Sequence, residues 1–348
     1  MRGFRDRDFL QTNEGFFFCV IGQLHPPERV ISYIKYVPSE SGVWGRGEKK
    51  LNRLLKKYTI PNLLETFNYL KCNYPNYMFH SPADNVTLTA VPLENIEKHF
   101  KPEQKLSQLR QTQKLDSLQD KLVRFTRFLE ETSGISEGSF GVTGSILLDI
   151  HKCTFSDLDI IVYGVKESWA LKKTLTECRE SEIPLKHLKG KSLQKWGLKK
   201  AEQYPLTAKE ALKLYDRKWN LGFFEDRWVS IHPVKLENEV TDEYGKRVYT
   251  SYGQVTIEAV VKRNIDSIFL PATYQIEDVQ FLGGQQLGPV TELVSYESLY
   301  DSLAENGEKI QAKGKLEKVS ENWTGIQYYR ILVGSAEGKG KEYIKLLE

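Results

Sequence analysis

Long uncharged apolar runs are missing from this 348-residue sequence. The longest candidate, Phe16 to Ile21, is strand-sized, far short of the roughly eighteen positions a membrane span needs, so no transmembrane helix is expected. Cysteine is scarce: Cys19, Cys72, Cys153 and Cys178 lie far apart without a C-x-x-C pair, which excludes a locally built zinc ribbon or dithiol motif and leaves reduced thiols as the expectation. The opening residues, MRGFRDRDF, carry both charge signs and no apolar h-region, so no secretory signal peptide is expected and a cytoplasmic location is. A net charge of +3 is too small to point to a partner by itself. With 27% charged and 40% hydrophobic residues the chain is too well mixed for disorder and too long for one core, so two or three domains are expected.

Three segments emerge. Residues 1–100 mix strand-like runs (Phe16 to Ile21, Val30 to Tyr36, Val86 to Val91) with a basic stretch, Lys49 to Tyr58, whose Leu51, Leu54 and Leu55 predict a helix; an α/β domain follows. In residues 101–238, Leu115, Leu118, Leu122, Phe125 and Leu129 fall on one helical face, ended by Ser133-Gly134, and an apolar run begins at Phe140. Trp169, Leu171, Leu175 and Cys178 predict another helix, short helices broken at Gly197 and Pro205 follow, and strands resume at Leu221 to Phe224 and Trp228 to Leu236. Residues 239–348 are β-rich, with a short helix predicted at Ser298 to Glu305. Strands of this length must hide their edges, so a small closed or half-closed barrel is expected.

The chemistry concentrates in Phe140 to Gly164, FGVTGSILLDIHKCTFSDLDIIVYG. Side chains alternate along a strand, so Asp157 and Asp159 project from one face and Leu158 and Ile160 from the other. Two carboxylates in one small space repel each other, and a divalent cation that takes oxygen from both removes the repulsion. Upstream, a strand runs into Gly144-Ser145, where the missing Cβ lets backbone N–H groups approach an anion and the serine adds a donor. A lone D-x-D is commonly a solvated face and a lone Gly-Ser a turn. Together, in this order, they suit a metal-bound triphosphate.

The motif resembles the signature of the DNA polymerase beta superfamily of nucleotidyltransferases: a strand, a Gly-Ser pair, a spacer, then acid-apolar-acid on the next strand, here Gly144-Ser145 and Ser156-Asp157-Leu158-Asp159-Ile160-Ile161-Val162. Within it the chain is similar to archaeal proteins described only as predicted nucleotidyltransferases. The resemblance implies an α/β fold whose core is a mixed, twisted sheet backed by helices, flanked here by the N-terminal α/β and C-terminal β-rich domains. It further implies Mg2+ or Mn2+ on Asp157 and Asp159, with the phosphates of a nucleoside triphosphate near Gly144 and Ser145. The family's third carboxylate normally stands on a later strand. The matching segment, Arg227 to Val234, offers Ser230 and His232 instead, which leaves Glu225, Asp226 or Glu258 as substitutes and His232 as base or ligand.

From Lys186 to Lys218, ten basic residues face three acidic ones, a local excess larger than the net charge of the whole chain. Interleaved with Trp196, Tyr204, Tyr215 and Trp219, they either track an RNA or DNA backbone or form a solvated helical face over buried aromatics. Arg217 and Lys218, just before the strand expected to flank the metal, are the candidates to reach the triphosphate. His25 and His80 read as structural, and the C-terminal segment is compatible with an oligonucleotide-binding barrel. The expected activity is metal-dependent transfer of a nucleoside monophosphate to an acceptor hydroxyl. The alternatives are a catalytically degenerate domain that binds nucleotide or RNA, and an enzyme acting on protein or small-molecule hydroxyls. Acceptor, base preference and oligomeric state are not legible.

Overall fold

A computed structural model describes residues 2–45, 50–180 and 184–347. Its three sheets follow one another along the chain. The first is antiparallel and contains β1 (Phe9–Thr12), β2 (Phe17–Val20), β3 (Arg29–Pro38), β4 (Leu51–Arg53), β5 (Met78–Ser81), β6 (Val86–Pro92) and β7 (Ile96–Phe100), in the order β5-β6-β3-β2-β1-β7. Helix α1 (Ile60–Asn73) packs beside it, with Leu70 buried in the core formed by Phe18, Val30 and Ile34. The helix expected from Lys49 to Tyr58 is not found: Lys49 lies outside the described residues, and Leu51–Arg53 is strand β4. The reason is an unpaired edge. β6 takes only Arg29 to Ile31 of the long β3, so Tyr36 to Pro38 is free to pair with Leu51 to Arg53.

The second unit opens with α2 (Pro102–Gln111) and α3 (Ser117–Ser133). α3 is the amphipathic helix expected, started by a capping box of Asp116 and Gln119 and ended by Gly134 in the left-handed conformation. β8 (Phe140–Val142), the short α4 (Gly144–Leu147), β9 (Leu158–Tyr163), α5 (Val165–Glu177), β10 (Leu185–Lys186), α6 (Gly190–Gln203), α7 (Ala208–Asp216), β11 (Leu221–Phe224) and β12 (Arg227–Val234) follow. The sheet order is β10-β11-β12-β9-β8, with β12 parallel to β9 and the other pairs antiparallel. α6 runs unbroken through Gly197, contrary to expectation. A Cβ there would come within 2.9 Å of Leu212 Cδ2, so the glycine serves close packing of α6 on α7, and the break comes at Pro205.

The third unit contains β13 (Arg247–Asp266), β14 (Ala272–Gly283), β15 (Val290–Ser295), β16 (Lys309–Glu321), β17 (Gln327–Val333) and β18 (Tyr343–Leu346). Pairing runs β13-β14-β15-β17-β16 and returns to β13, so five strands close into a barrel and β18 adds to β16. The helix expected at Ser298 to Glu305 is only a turn at Ser298–Tyr300. The Lys218 ammonium takes the carbonyls of Ser298 and Asp301, which a continuing helix would need for its own ladder.

Packing does not follow the chain boundary near residue 238. Tyr204, Leu206 and Leu214, from and around α6 and α7, join the barrel core of Val255, Tyr274, Leu293 and Ile331. Leu147, at the end of α4, and Leu148 and Ile150 after it enter the core of the first sheet with Phe9, Tyr33 and Tyr36. The three units therefore interlock around the second sheet. Asp116 joins two local structures: Oδ1 accepts the Leu118 and Gln119 amides, and Oδ2 lies 2.8 Å from Nε2 of the buried His151. Asp116→Ala is expected to destabilise the fold by about 1–2 kcal/mol, the range for a lost N-cap, as a lowered urea midpoint at unchanged slope. An unchanged midpoint would contradict this reading of the cap.

Candidate functional site

β9 has two different faces. Leu158, Ile160 and Val162 are fully buried against the helices, while Ile161 and Tyr163 pack with Val234 on the other face, where Asp159 stands at the strand's open end. Asp157 directly precedes the strand and keeps the same parity as Asp159. Both border the same cavity, although Asp157 lies just outside the strand expected to carry it. Gly144 follows β8 with φ +69°, and a Cβ there would lie 2.4 Å from Oδ2 of Asp159. Glycine at 144 thus serves both a left-handed turn and a cradle for the second carboxylate.

In the parallel β9–β12 register Ser230 is the partner of Asp159 and His232 of Ile161. Ser230 Oγ donates to Asp159 Oδ1 at 2.5 Å, and His232 Nε2 lies 2.9 Å from the same hydroxyl. Because the serine proton goes to the carboxylate, Nε2–H must donate to Ser230. Burial, with the nearby charges of Arg7 and Lys35, pushes the His232 pKa well below its ordinary value, so the ring is neutral. His232 is therefore a positioning residue that orients Ser230 and, through it, Asp159. It is not a base working from Nε2.

Asp157 is open to solvent on its cavity side and walled by protein elsewhere. This partial dehydration and the charge of Asp159 raise its pKa to about 6, against the opposing pull of Arg53, Arg227 and Lys35. Those cations include the residues that sequence reasoning missed. Lys35, in the middle of β3, is 7% exposed, and its ammonium lies 5.2, 5.8 and 5.5 Å from the ring centres of Phe9, Tyr36 and Tyr58. Arg53 on β4 lies 5.2 Å from the Tyr58 ring. Lys35 and Arg53 both feel the charge of Asp159, and together they hold the Tyr58 phenol below its usual range despite its desolvation. The only local signal was a lysine inside an apolar strand, VISYIKY.

Asp157, Asp159, Thr143, Ser230, His232 and Lys35 border one cavity of about 1150 Å³ between the three units. Gly144 and Ser145 lie behind Thr143, buried and outside its lining. Arg217 pairs with Glu308 at 2.6 Å, and the Lys218 ammonium is held by Ser298, Asp301 and the Asp301 carboxylate. Both are committed to the barrel; Lys218 borders the cavity but is held by these acceptors, and Arg217 lies outside the lining. The proposed third acids are also engaged elsewhere: Glu225 and Asp226 turn to Arg124 and Lys121 of α3, Glu258 accepts from Gln311, and none borders the cavity. The position opposite Asp159 is Ser230.

The basic segment divides. Tyr204 packs on Tyr300, Tyr215 is buried, and Trp219 donates to Ser302, so these three are core, while the half-buried Trp196 packs edge to face on Tyr215 and borders the cavity. Ser192, Lys195 and Lys199 form one face of α6 on the cavity, and neither lysine has an ion-pair partner among the described residues. Lys200 is drawn down to about 8 by burial and by the charges of Lys218 and Lys199, while burial and Glu342 raise the nearby Glu297 to about 8.

Two carboxylates and a hydroxyl are hard oxygen donors, a set that fits Mg2+ or Mn2+. Among the described residues a different group, Asp116, His151 and Cys153, offers mixed donors within 4.8 Å of one another, and it lies outside the cavity lining. Among the same residues no helix is long and apolar enough to cross a membrane.

The chain is similar to the uncharacterized protein MJ1086 of Methanocaldococcus jannaschii, 28% identical over 347 residues and covering 98% of each chain. No family model and no solved structure matches.

The raised Asp157 pKa has a consequence for stability. The folded value of about 6 lies above the unfolded 3.8, so the folded state binds the extra proton between these values and the ionised form weighs against folding above them. Asp157→Asn is expected to stabilise the metal-free protein at pH 7 by on the order of 1 kcal/mol, reduced from the full linkage value because the group is solvent-exposed. The gain fades as pH falls from about 6 to 4. Thermal melts at pH 7 and 4 with chelator test it, and a loss of stability at pH 7 would contradict it.

Proposed function

We propose that the protein is a nucleotidyltransferase of the polymerase beta type, moving a nucleoside monophosphate from a nucleoside triphosphate to an acceptor hydroxyl. The observation that carries this reading is the pair Asp157 and Asp159 at the start of β9, with Gly144 leaving room for Asp159 and both opening onto a cavity large enough for a nucleotide and an acceptor. The acceptor oxygen bonds to the α-phosphorus, the bond to the bridging oxygen breaks, pyrophosphate leaves, and the hydroxyl proton passes to cavity solvent. Asp157 and Asp159 hold the divalent cation, which when bound supplies charge stabilisation for the phosphoryl group. Ser230 and His232 fix the rotamer of Asp159, and Lys35, which borders the cavity, brings positive charge to the phosphates. A cytoplasmic setting accords with reduced, unpaired cysteines.

The acceptor side of the cavity combines α6 with the outer face of the barrel, where Thr273 and Gln275 of β14 and Glu292 and Val294 of β15 line it. Five-stranded barrels of this kind commonly use the corresponding face for oligonucleotides or oligosaccharides. With the unpaired Lys195 and Lys199 opposite, a single-stranded RNA or DNA end is the acceptor that fits best. One observation favours a second reading: Ser230 occupies the third-acid position, as expected for a degenerate domain that binds nucleotide without transferring it. Release of pyrophosphate separates the two.

Asp157→Asn combined with Asp159→Asn is expected to abolish magnesium-dependent binding of nucleoside triphosphate in calorimetric titration while the fold remains. Unchanged, metal-independent binding in the double variant would retire the site. For the acceptor, anisotropy titrations of a short single-stranded oligonucleotide at about 50 and about 200 mM salt should show steep salt dependence. Lys195→Gln with Lys199→Gln should flatten the slope by about 1.4, two counterions at single-strand density. No binding at the lower salt would remove nucleic acid from the account.

A further inference from the structure

Two-metal sites need enough carboxylate to hold both ions, usually with one acid bridging and a third completing the set. Here the third position is filled, and not by an acid. Ser230 sits opposite Asp159 and already donates to it, with His232 behind. Several other carboxylates of the cavity are engaged: Asp6 accepts the Gly22 amide and pairs with Arg7, Asp242 pairs with Arg247, Asp266 with Lys235, and Glu317 with Lys315 and Arg330. Asp157 and Asp159 are the two that stand together at the start of β9, where Gly144 leaves room for Asp159.

Lys35 presents the complementary oddity. A buried ammonium is costly unless charge or dipoles compensate it. This one has no carboxylate within ion-pair distance among the described residues, and lies instead among three aromatic faces. The rings surround the ammonium itself, which borders the same cavity as Asp159 and feels its charge. A lysine held in this way is a fixed positive charge that bonds the Tyr58 phenol, pairs with no carboxylate among the described residues, and borders the same cavity as Asp157 and Asp159.

We propose that the site takes one divalent cation, shared by Asp157 and Asp159, and that the Lys35 ammonium supplies the positive charge a second cation supplies elsewhere, by contacting phosphate oxygens of the bound nucleotide. The inference rests on the nucleotidyl-transfer reading above. One divalent ion neutralises the two aspartates, and the triphosphate then meets Lys35 with its charge unspent. A second divalent ion would find the carboxylates already shared and a cation beside it. Lys35 is on this account a nucleotide-binding residue contributed by the first sheet to a site whose metal ligands belong to the second.

The test counts metal. With a saturating non-hydrolysable α,β-methylene nucleoside triphosphate, electron paramagnetic resonance of free Mn2+ should show one Mn2+ per protein–nucleotide complex, lost when Asp157 and Asp159 are both changed to Asn. Ser230→Asp restores a third carboxylate in register with Asp159 and should raise the count to two. Lys35→Met keeps a side chain of similar length in the aromatic box and should melt near the wild-type temperature, yet bind inorganic triphosphate at least tenfold more weakly in chelator. Lys35→Arg should stay within a few-fold. Two Mn2+ in the wild type, or unimpaired triphosphate binding by Lys35→Met, would overturn the inference while leaving the diacid site in place. Absence of any Mn2+ that depends on Asp157 and Asp159 would instead overturn the nucleotidyl-transfer reading beneath it.

Discussion

Two negative charges held on one strand face are the constraint around which the rest of the site is arranged. Burial of Leu158 and Ile160 turns Asp159 to the cavity, and Asp157, directly before β9, borders the same cavity. Burial and the charge of Asp159 raise the pKa of Asp157, Arg53, Arg227 and Lys35 oppose the shift, and the Ser230 hydroxyl donates to Asp159. On the proposed function, a divalent cation would relieve the repulsion that these groups leave.

The compensation comes from distant parts of the chain, and this explains the interlocked packing. Lys35 and Arg53 arrive on the first sheet, which is fastened to the second unit where Leu147, Leu148 and Ile150 enter its core. The α6 lysines arrive on a helix that belongs by packing to the barrel. Lys218, expected at the phosphates, serves as the fastening between the second sheet and the barrel: its ammonium, buried and held by three acceptors, is too well satisfied to serve a ligand. Charge in this protein divides into cations that join its units and cations left for the cavity, and the two are told apart by their partners.

That division also sets what was legible in the sequence. Local periodicity found α3, β9 and the sharing of one face by Asp157 and Asp159, because each rests on side chains a few positions apart. It predicted a barrel from strand length and composition, and the β13–β16 pairing closes one. It misread Leu51 to Arg53 as helix, because the signal that decides them is the free half of β3, some fifteen residues upstream. It placed a break at Gly197, where the glycine instead admits α7. It ranked Arg217 and Lys218 above Lys35 because proximity along the chain was the only proximity available. The absence of an acid on β12 was readable, but its consequence depends on the Ser230–Asp159 hydrogen bond, which only the parallel register reveals.

The central claim is that Asp157 and Asp159 together hold a divalent cation at the mouth of the shared cavity. Anomalous diffraction from crystals soaked with Mn2+ and a non-hydrolysable nucleoside triphosphate tests it most directly. The account predicts a manganese peak bonded to oxygens of both aspartates, with the triphosphate extending toward Lys35. Manganese at Asp116, His151 and Cys153 alone, or triphosphate density away from the two aspartates, would contradict it.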